Sequence, residues 1–412
     1  MSELIARSEY MRQLIDHKDI DLVKIVTGIR RCGKSSLLEL FHTHLISSGI
    51  PENCIIHMNL ESLKYRDLTD YLIFYDFVST RISQSGKTYL IFDELQSVQG
   101  WEKAIESFRL DFDVDIYITG SNAYLLSTEF STLLSGRYIE IRVLPLSFKE
   151  FLTFYDFGSE VTVEDQFQKY LQFGGMPVLR QYMFNEIRSN EALEAIYATV
   201  VLRDILQRNN TSDQHILNKV VRFLCSNIGS ITSPNNIGNI LSREGDIESA
   251  KSGKSQNVAG KTVSKYISML HNAFVFYAIG RYDVKGKQLL KTLEKNYIID
   301  LGFRNMLLGY RDADRGHILE NVVFLELLRR DFRVYIGKVG ETEVDFVCEK
   351  PNDKMYIQVT ESMSNEDVRQ RELRPLQRIQ DNYEKIILTM DKSYIRSYDG
   401  IKVMNIMEWL LS

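Results

Sequence analysis

The chain has 412 residues, a formal net charge of −5, and 44% hydrophobic and 25% charged residues, which excludes a disordered or fibrous chain and leaves room for several buried cores. Four scattered cysteines, Cys32, Cys54, Cys225 and Cys348, form no C-x-x-C pair, which excludes a disulfide framework and a zinc site. The N-terminus lacks a leader pattern and no apolar run has membrane-spanning length, so a cytoplasmic protein without a membrane partner is expected.

The first predicted element is a leading helix through residues 10–15, preceded by Arg7. Residues 22–27 then read as a buried strand and residues 36–41 as an amphipathic helix. Between them stand Gly28, Ile29, Arg30, Arg31, Cys32, Gly33, Lys34 and Ser35. This is a match to G-x-x-x-x-G-K-[ST], in the strand–loop–helix setting that the phosphate-binding motif requires. The glycines let the backbone curl so that successive N–H groups face phosphate oxygens, and the helix N-terminus adds partial positive charge. Residues 28–35 and Ser36 are therefore expected to line a nucleotide, with Lys34 on the β- and γ-phosphates and the Ser35 hydroxyl on Mg²⁺. Cys32 lies inside the loop, either as an oxidation-sensitive thiol or as a tolerated small residue.

Residues 88–92 form the next apolar strand, which ends in Asp93 and Glu94. Asp93 is expected to hold the Mg²⁺ shell and Glu94 to polarise an attacking water. No guanine-reading Asn/Thr-Lys-x-Asp sequence follows, which favours ATP over GTP. The strand at 115–119 turns polar at its end, where a parallel strand delivers side chains to a ligand crevice. Ser121 and Asn122 are candidates there to contact the nucleotide, sense a γ-phosphate or orient the water, and they are equally good helix N-caps. Arg137 precedes a strand at 138–143 and is either an arginine finger or a surface ion-pair partner.

Taken together, the runs Thr-Gly-Ile-Arg-Arg-Cys-Gly-Lys-Ser, Phe-Asp-Glu-Leu-Gln, Thr-Gly-Ser-Asn-Ala, Ser-Gly-Arg and Leu-Pro-Leu-Ser-Phe follow one another in a telling order. Phe173-Gly174-Gly175-Met176-Pro177 and Val201-Leu202-Arg203-Asp204-Ile205 continue it. The sequence resembles a prokaryotic group of AAA+-superfamily ATPases over essentially its whole length. The resemblance implies an α/β fold: a P-loop NTPase core with a parallel sheet, a helical lid, a winged-helix module and a C-terminal α/β domain of the restriction-endonuclease-like, PD-(D/E)xK type. The role of that last domain is unassigned in the group.

The core is expected over residues 1–147, with Arg7 and the leading helix beside the nucleotide base. The lid is expected over 148–210, with its helical reading broken at Gly174-Gly175-Met176-Pro177 by a hinge near the nucleotide or by a plain helix connection. The winged-helix module is expected over 211–290. It holds a mobile Ser-, Asn- and Gly-rich loop between Glu244 and Val258, a helix at 261–270, and strands at 274–282 and 288–292. Val263, Tyr266, Ile267 and Leu270 share one face of that helix, and Thr262, Ser264, Lys265 and Ser268 the other. Ten Lys or Arg against five Asp or Glu over 211–290 make a basic island in an acidic chain, suited to double-stranded DNA or to a protein partner.

Residues 291–412 follow the nuclease-like layout. Glu320 lies on a helix, Asp345 on a hairpin strand, and Gln358 and Thr360 stand where a second carboxylate and a lysine belong. A neutral amide is a poor Mg²⁺ ligand and Thr carries no cation. A retained fold with a lost reaction is therefore expected, unless Glu343, Glu361 or Lys354 substitutes. Arg369, Arg371, Arg374 and Arg378 give either a nucleic-acid surface or a solvated face. The expected function is a Mg²⁺-dependent ATPase, with Lys34, Glu94, Asn122 and Arg137 catalytic, acting as a homo-oligomer or on a protein partner. A slow nucleotide-gated switch or scaffold and an ATP-regulated nuclease are the alternatives.

Overall fold

Residues 23–27, 88–93 and 114–120 are apolar almost without interruption, the pattern of strands covered on both faces. They form β1 (Val23–Thr27), β3 (Thr88–Asp93) and β4 (Val114–Gly120). With β2 (Ile55–Asn59) and β5 (Tyr138–Arg142) they make a five-stranded parallel sheet of order β2-β3-β4-β1-β5. Helices α1 (Ser8–Asp16), α2 (Lys34–Ser47), α3 (Tyr71–Ser79) and α4 (Trp101–Asp111) alternate with the strands. Val23, Ile25, Leu90, Phe92, Ile116 and Ile118 point to one face and pack with Phe74, Val78, Ile105 and Phe108. On the other face α2 buries Leu37, Leu38, Phe41 and Leu45, with the Phe41 ring 4.5 Å from that of Tyr117. Each such side chain contributes about 1.5–3 kcal/mol by leaving water.

Lys24 interrupts the apolar run of β1 yet is fully buried. Its Nζ donates to Asp115 and to the Ile20 carbonyl at 2.7 Å. Asp115 in turn accepts from the Tyr117 hydroxyl and the Asp19 N–H, both at 2.9 Å. A buried charge is tolerated when it is paired in this way.

These elements form one compact unit, Met1–Leu144 with Asn272–Phe274; Pro145–His271 with Val275–Ser412 form a second. The structure is a computed structural model and describes residues 5–84, 86–121, 136–207, 214–249, 258–311, 315–392 and 395–412. In the second unit α5 (Phe148–Phe154) begins at Ser147, which forms a reciprocal capping box with Glu150. Then come α6 (Val163–Phe173), α7 (Glu186–Thr199), a π-helical stretch at Val200–Gln207, α8 (Gln214–Ser226), α9 (Pro234–Ser249) and α10 (Gly260–Asn272). The chain breaks between α6 and α7 at Gly174, whose φ of 76° and close approach leave no room for a side chain: a β-carbon would lie 2.1 Å from Asp300 Oδ1.

The rest of the second unit is a nine-stranded mixed sheet. It comprises β6 (Ile231–Thr232), β7 (Phe276–Asp283), β8 (Gln288–Ile298), β9 (Arg333–Val339), β10 (Thr342–Lys350), β11 (Asp353–Thr360), β12 (Glu384–Thr389), β13 (Ser397–Tyr398) and β14 (Ile401–Asn405), in the order β13-β14-β12-β11-β10-β9-β7-β8-β6. Helices α11 (Leu301–Leu308), α12 (Arg315–Arg329), α13 (Glu366–Gln377) and α14 (Ile406–Leu411) accompany it. The position expected for a boundary, between 290 and 291, falls inside β8. β7 pairs in parallel with β9, Arg281 beside Ile336, so the hairpin and the C-terminal strands share one sheet. The loop expected from Glu244 begins later than read, because α9 continues to Ser249; residues 250–257 lie outside the described residues. Among the described residues no helix is long and apolar enough to cross a membrane.

Candidate functional site

Strand register decides which residues meet. Thr27 at the end of β1 stands beside Gly120 of β4 and Arg142 of β5, and Asn59 of β2 stands beside Asp93 of β3. The phosphate loop, Asp93, Glu94 and Ser121 therefore emerge at one edge, the carboxyl ends of the parallel strands. The strand turns at Gly28, with φ 144°, where a β-carbon would lie 2.2 Å from the Val143 carbonyl oxygen. Gly33, at φ 107°, is the N-cap of α2, so Lys34 and Ser35 open the helix. Lys34 is only 4% exposed and folds back over the loop, its Nζ donating to the Gly28 carbonyl at 2.9 Å and the Ile29 carbonyl at 3.2 Å. Ser35 and Ser36 are exposed on the first turn. Arg30 pairs with Glu61 at 3.2 Å, while Arg31 is exposed with φ 68°. Cys32 is fully buried, and burial pushes its thiol up, so the structure carries the inert reading of that residue.

The two acids are tied to the neighbouring strands. Asp93 is 2% exposed; its Oδ1 accepts from Thr119 Oγ1 at 2.5 Å and its Oδ2 from Asn59 Nδ2 at 2.9 Å. Glu94 leaves the strand at φ 55°, and its N–H donates to Thr119 Oγ1 at 2.9 Å. Its carboxylate accepts from the Gln96 amide and lies 3.5 Å from Ser121 Oγ. A serine hydroxyl on the first helical turn and an oriented carboxylate form a hard-oxygen donor pair, the kind Mg²⁺ takes together with phosphate oxygens and water, so the residues fit that ion. Arg7, which precedes α1, is buried and donates to the Cys32 carbonyl at 3.2 Å and the Leu144 carbonyl at 2.7 Å, docking the leading helix on the loop.

Asn122 lies outside the described residues. Arg137 is exposed at the start of β5, where its carbonyl accepts from the Val23 N–H at 3.0 Å and Tyr138 stands beside Val23. The phosphate loop leaves the other end of β1, five residues on, a separation of roughly 16 Å at ~3.3 Å per residue.

Known proteins resemble this chain in sequence and in fold. A family model described as an AAA domain matches residues 21–152, and one described as a domain of unknown function matches residues 164–314. An uncharacterized protein of Haemophilus influenzae is 38% identical over 410 residues, covering 99% of each chain. The chain belongs to one family with this protein, and its residues 21–152 match an AAA domain. An uncharacterized protein of Methanocaldococcus jannaschii is 29% identical over 403 residues, 93% of this chain and 83% of that one. Among solved structures, a Walker-type ATPase of Pyrococcus abyssi matches 73% of this chain and 95% of its own, with a TM-score of 0.50 and 18% identity, a likeness of fold. The second family match, like the nine-stranded sheet, runs across residues 290 and 291.

Sequence reasoning misses Asn59, Thr119 and Gln96 of the AAA domain. The available signals are slight: Asn59 is a polar residue closing an apolar strand, and Thr119 and Gln96 lie inside the Thr-Gly-Ser-Asn and Phe-Asp-Glu-Leu-Gln runs.

In the second unit the nuclease-like candidates assemble in part. The β10–β11 register sets Asp345 beside Gln358. The Asp345 N–H donates to Gln358 Oε1 at 3.3 Å, and Gln358 Nε2 donates to Glu372 Oε2 at 2.8 Å. Thr360 Oγ1 lies 3.4 Å from the Ser362 carbonyl. Glu320, Glu343 and Asp345 do converge, on Lys295, a residue that sequence reasoning passes over. Lys354 and Glu361 are engaged elsewhere, with Glu349 at 2.9 Å and Arg315 at 3.3 Å. Arg369 pairs with Glu366 and Arg371 with the buried Glu372.

Proposed function

We propose that the chain is a Mg²⁺-dependent ATPase, hydrolysing ATP to ADP and phosphate at the edge built from residues 28–36, Asp93, Glu94 and Ser121, and coupling turnover to conformational change. The observation that carries this is that Lys34, at the N-terminus of α2, and Asp93 and Glu94 stand at or past the carboxyl ends of β1 and β3, parallel strands of one sheet separated only by β4. When ATP binds, Lys34 exchanges the Gly28 and Ile29 carbonyls for β- and γ-phosphate oxygens, and loop N–H groups take up further phosphate charge. Ser35 and Asp93 would hold Mg²⁺, which supplies neutralisation of charge on the phosphates. Glu94 orients water for in-line attack on the γ-phosphorus and accepts its proton, while the bond from the γ-phosphorus to the β–γ bridging oxygen breaks and that oxygen leaves with ADP. Ser121, beside Glu94, senses the γ-phosphate, with Asn122 following it. Arg7 and α1 lie beside the base. Arg137, far from its own loop, serves a nucleotide only as a residue given to a neighbouring copy, which favours a homo-oligomer.

Further parts of the reading rest on the second unit. Lys261, Ser264, Lys265 and Ser268 are exposed on α10 while Val263, Tyr266, Ile267 and Leu270 are buried. With the basic composition of 211–290, that face supports double-stranded DNA contact by a winged-helix module made of α8–α10 and the β7–β8 hairpin. The engagement of Gln358 and Thr360 with neighbouring protein groups supports a nuclease-like fold without the reaction. One observation favours a second reading, the slow nucleotide-gated switch: the Gln96 amide occupies the Glu94 carboxylate, withdrawing it from water. ATP binding and turnover, with and without duplex DNA, test the proposal. Loss of binding in Lys34→Ala and faster turnover with DNA are expected. Unchanged ATP affinity in Lys34→Ala rejects the site, and a rate insensitive to DNA turns the assignment toward the switch.

A further inference from the structure

The densest group of buried charge in the second unit plays no part in the nucleotide chemistry. Lys295 projects from β8 with its side chain 6% exposed. Its Nζ lies 2.8 Å from Glu343 Oε1, 3.5 Å from Glu320 Oε2 and 3.9 Å from Asp345 Oδ1. Glu320 comes from α12 and the other two carboxylates from β10, so three acids on two elements close around one ammonium. Neighbours fix the carboxylates: the Tyr297 hydroxyl donates to Glu320 Oε2 at 3.2 Å, His317 Nδ1 lies 3.5 Å from Glu320 Oε1, and the Val359 N–H donates to Asp345 Oδ2 at 2.8 Å. Burial alone would discharge the lysine, but attraction to Glu320, Asp345 and Glu343 holds it above its ordinary value and therefore charged. Burial, and then the Glu320 charge, push the Asp345 carboxyl well above the usual range.

We propose that Lys295 is the resident cation of this basin, that it fills the place a divalent metal ion would take among Glu320, Glu343 and Asp345, and that it keeps the second unit metal-free. A Mg²⁺ or Mn²⁺ ion joining these carboxylates needs oxygen distances of about 2.1 Å, shorter than the 2.8 Å, 3.5 Å and 3.9 Å at which they surround Nζ, so the ammonium has to leave before the acids can close on an ion. Two cations at that separation in a buried site repel each other strongly. Among the described residues no group of three or more His, Cys, Asp or Glu is placed to hold a metal ion. The inference is independent of the ATPase reading. It explains what the loss of a cation at Thr360 leaves open: positive charge reaches these carboxylates from β8, at the position of the metal itself.

The test is Mn²⁺ uptake by the nucleotide-free full-length chain, followed by electron paramagnetic resonance of the unbound ion. Wild type and Asp345→Asn should take up Mn²⁺ identically. Lys295→Met should gain a site at least tenfold tighter than any wild-type uptake, and that site should vanish in Lys295→Met/Asp345→Asn. In EDTA, Lys295→Met should melt on the order of 5–10 °C below wild type, with Mn²⁺ restoring the difference. Wild-type uptake that Asp345→Asn abolishes overturns the proposal, and so does a folded Lys295→Met that gains no Mn²⁺. Should Lys295→Met fail to fold, two results decide: the wild-type and Asp345→Asn comparison, and Lys295→Arg, which must take up no more Mn²⁺ than wild type.

Discussion

Replacing Asp300 with Ala removes the anchor of the Gly174-Gly175 turn, and the structure sets the size of the effect. Asp300 is 3% exposed; its Oδ2 accepts the Gly175 N–H at 2.6 Å and its Oδ1 the Gly302 N–H at 2.9 Å, the latter as the N-cap of α11. Truncation leaves two buried donors without an acceptor, at about 1–3 kcal/mol each, so a loss of roughly 2–5 kcal/mol is expected. The same residue confers a pH dependence. Burial lifts its carboxyl to about 7, against the opposing pull of the Gly175 and Gly302 N–H groups. The unfolded value is about 3.9, so the folded chain binds the extra proton between these limits. The stabilisation from this group is complete below about pH 4, declines as pH rises, and is gone above about 7. At about 1.36 kcal/mol per unit, its upper bound is about 4 kcal/mol. Asp300→Asn keeps the shape without the titration, so its stability relative to wild type should improve by up to about 2.7 kcal/mol between pH 5 and pH 8, the part of the loss that falls above pH 5. Urea unfolding followed by fluorescence of the buried Trp409, in a Trp101→Phe background, reports on the second unit. The reasoning is refuted if Asp300→Ala at pH 5 lies within 0.5 kcal/mol of wild type, taken as roughly the scatter of neutral surface changes. A difference between wild type and Asp300→Asn that stays constant with pH refutes it as well.

Three other outcomes are expected. Asp115→Ala strands the fully buried Lys24 ammonium and should destabilise the first unit by about 3–5 kcal/mol; a loss below about 1 kcal/mol in chemical denaturation contradicts the pairing. Gln96→Ala should raise the ATP turnover rate severalfold at unchanged affinity by freeing the Glu94 carboxylate, whereas a slower variant shows that Gln96 holds Glu94 in its productive position. Lys261→Glu with Lys265→Glu should weaken duplex binding and lower the salt dependence by about two counterions. An unchanged salt slope assigns that face to a protein partner instead.

What the sequence discloses is what local pattern can carry. The strand–loop–helix around residues 28–35 is legible because its pattern is contiguous: strand, glycine turn, lysine and helix start all fall within residues 22–41. Asp93 and Glu94 close a fully apolar strand, which marks them as residues at a sheet edge. The buried and exposed faces of α10 follow directly from a 3.6-residue period. The partners of the acids are harder to find, since Asn59 and Thr119 reach Asp93 only through pairing of β2 and β4 with β3. Lys295 meets Asp345 only because β7 aligns with β9, a long-range pairing with no local signature, and the same pairing carries one sheet through residues 290 and 291. Arg137 is different. It precedes its strand whereas the phosphate loop follows one, so in a parallel sheet the two were bound to lie at opposite edges, and the sequence already contained that conclusion.

The central claim is that Glu94 activates water at a nucleotide held by residues 28–35 and Asp93. Its most direct test is single-turnover hydrolysis of radiolabelled ATP by Glu94→Gln, with ATP affinity measured on the same preparation. Wild-type affinity with turnover reduced at least a hundredfold is predicted, within the ~10²–10⁴-fold usual for a lost general base. Hydrolysis by Glu94→Gln at the wild-type rate would contradict the assignment.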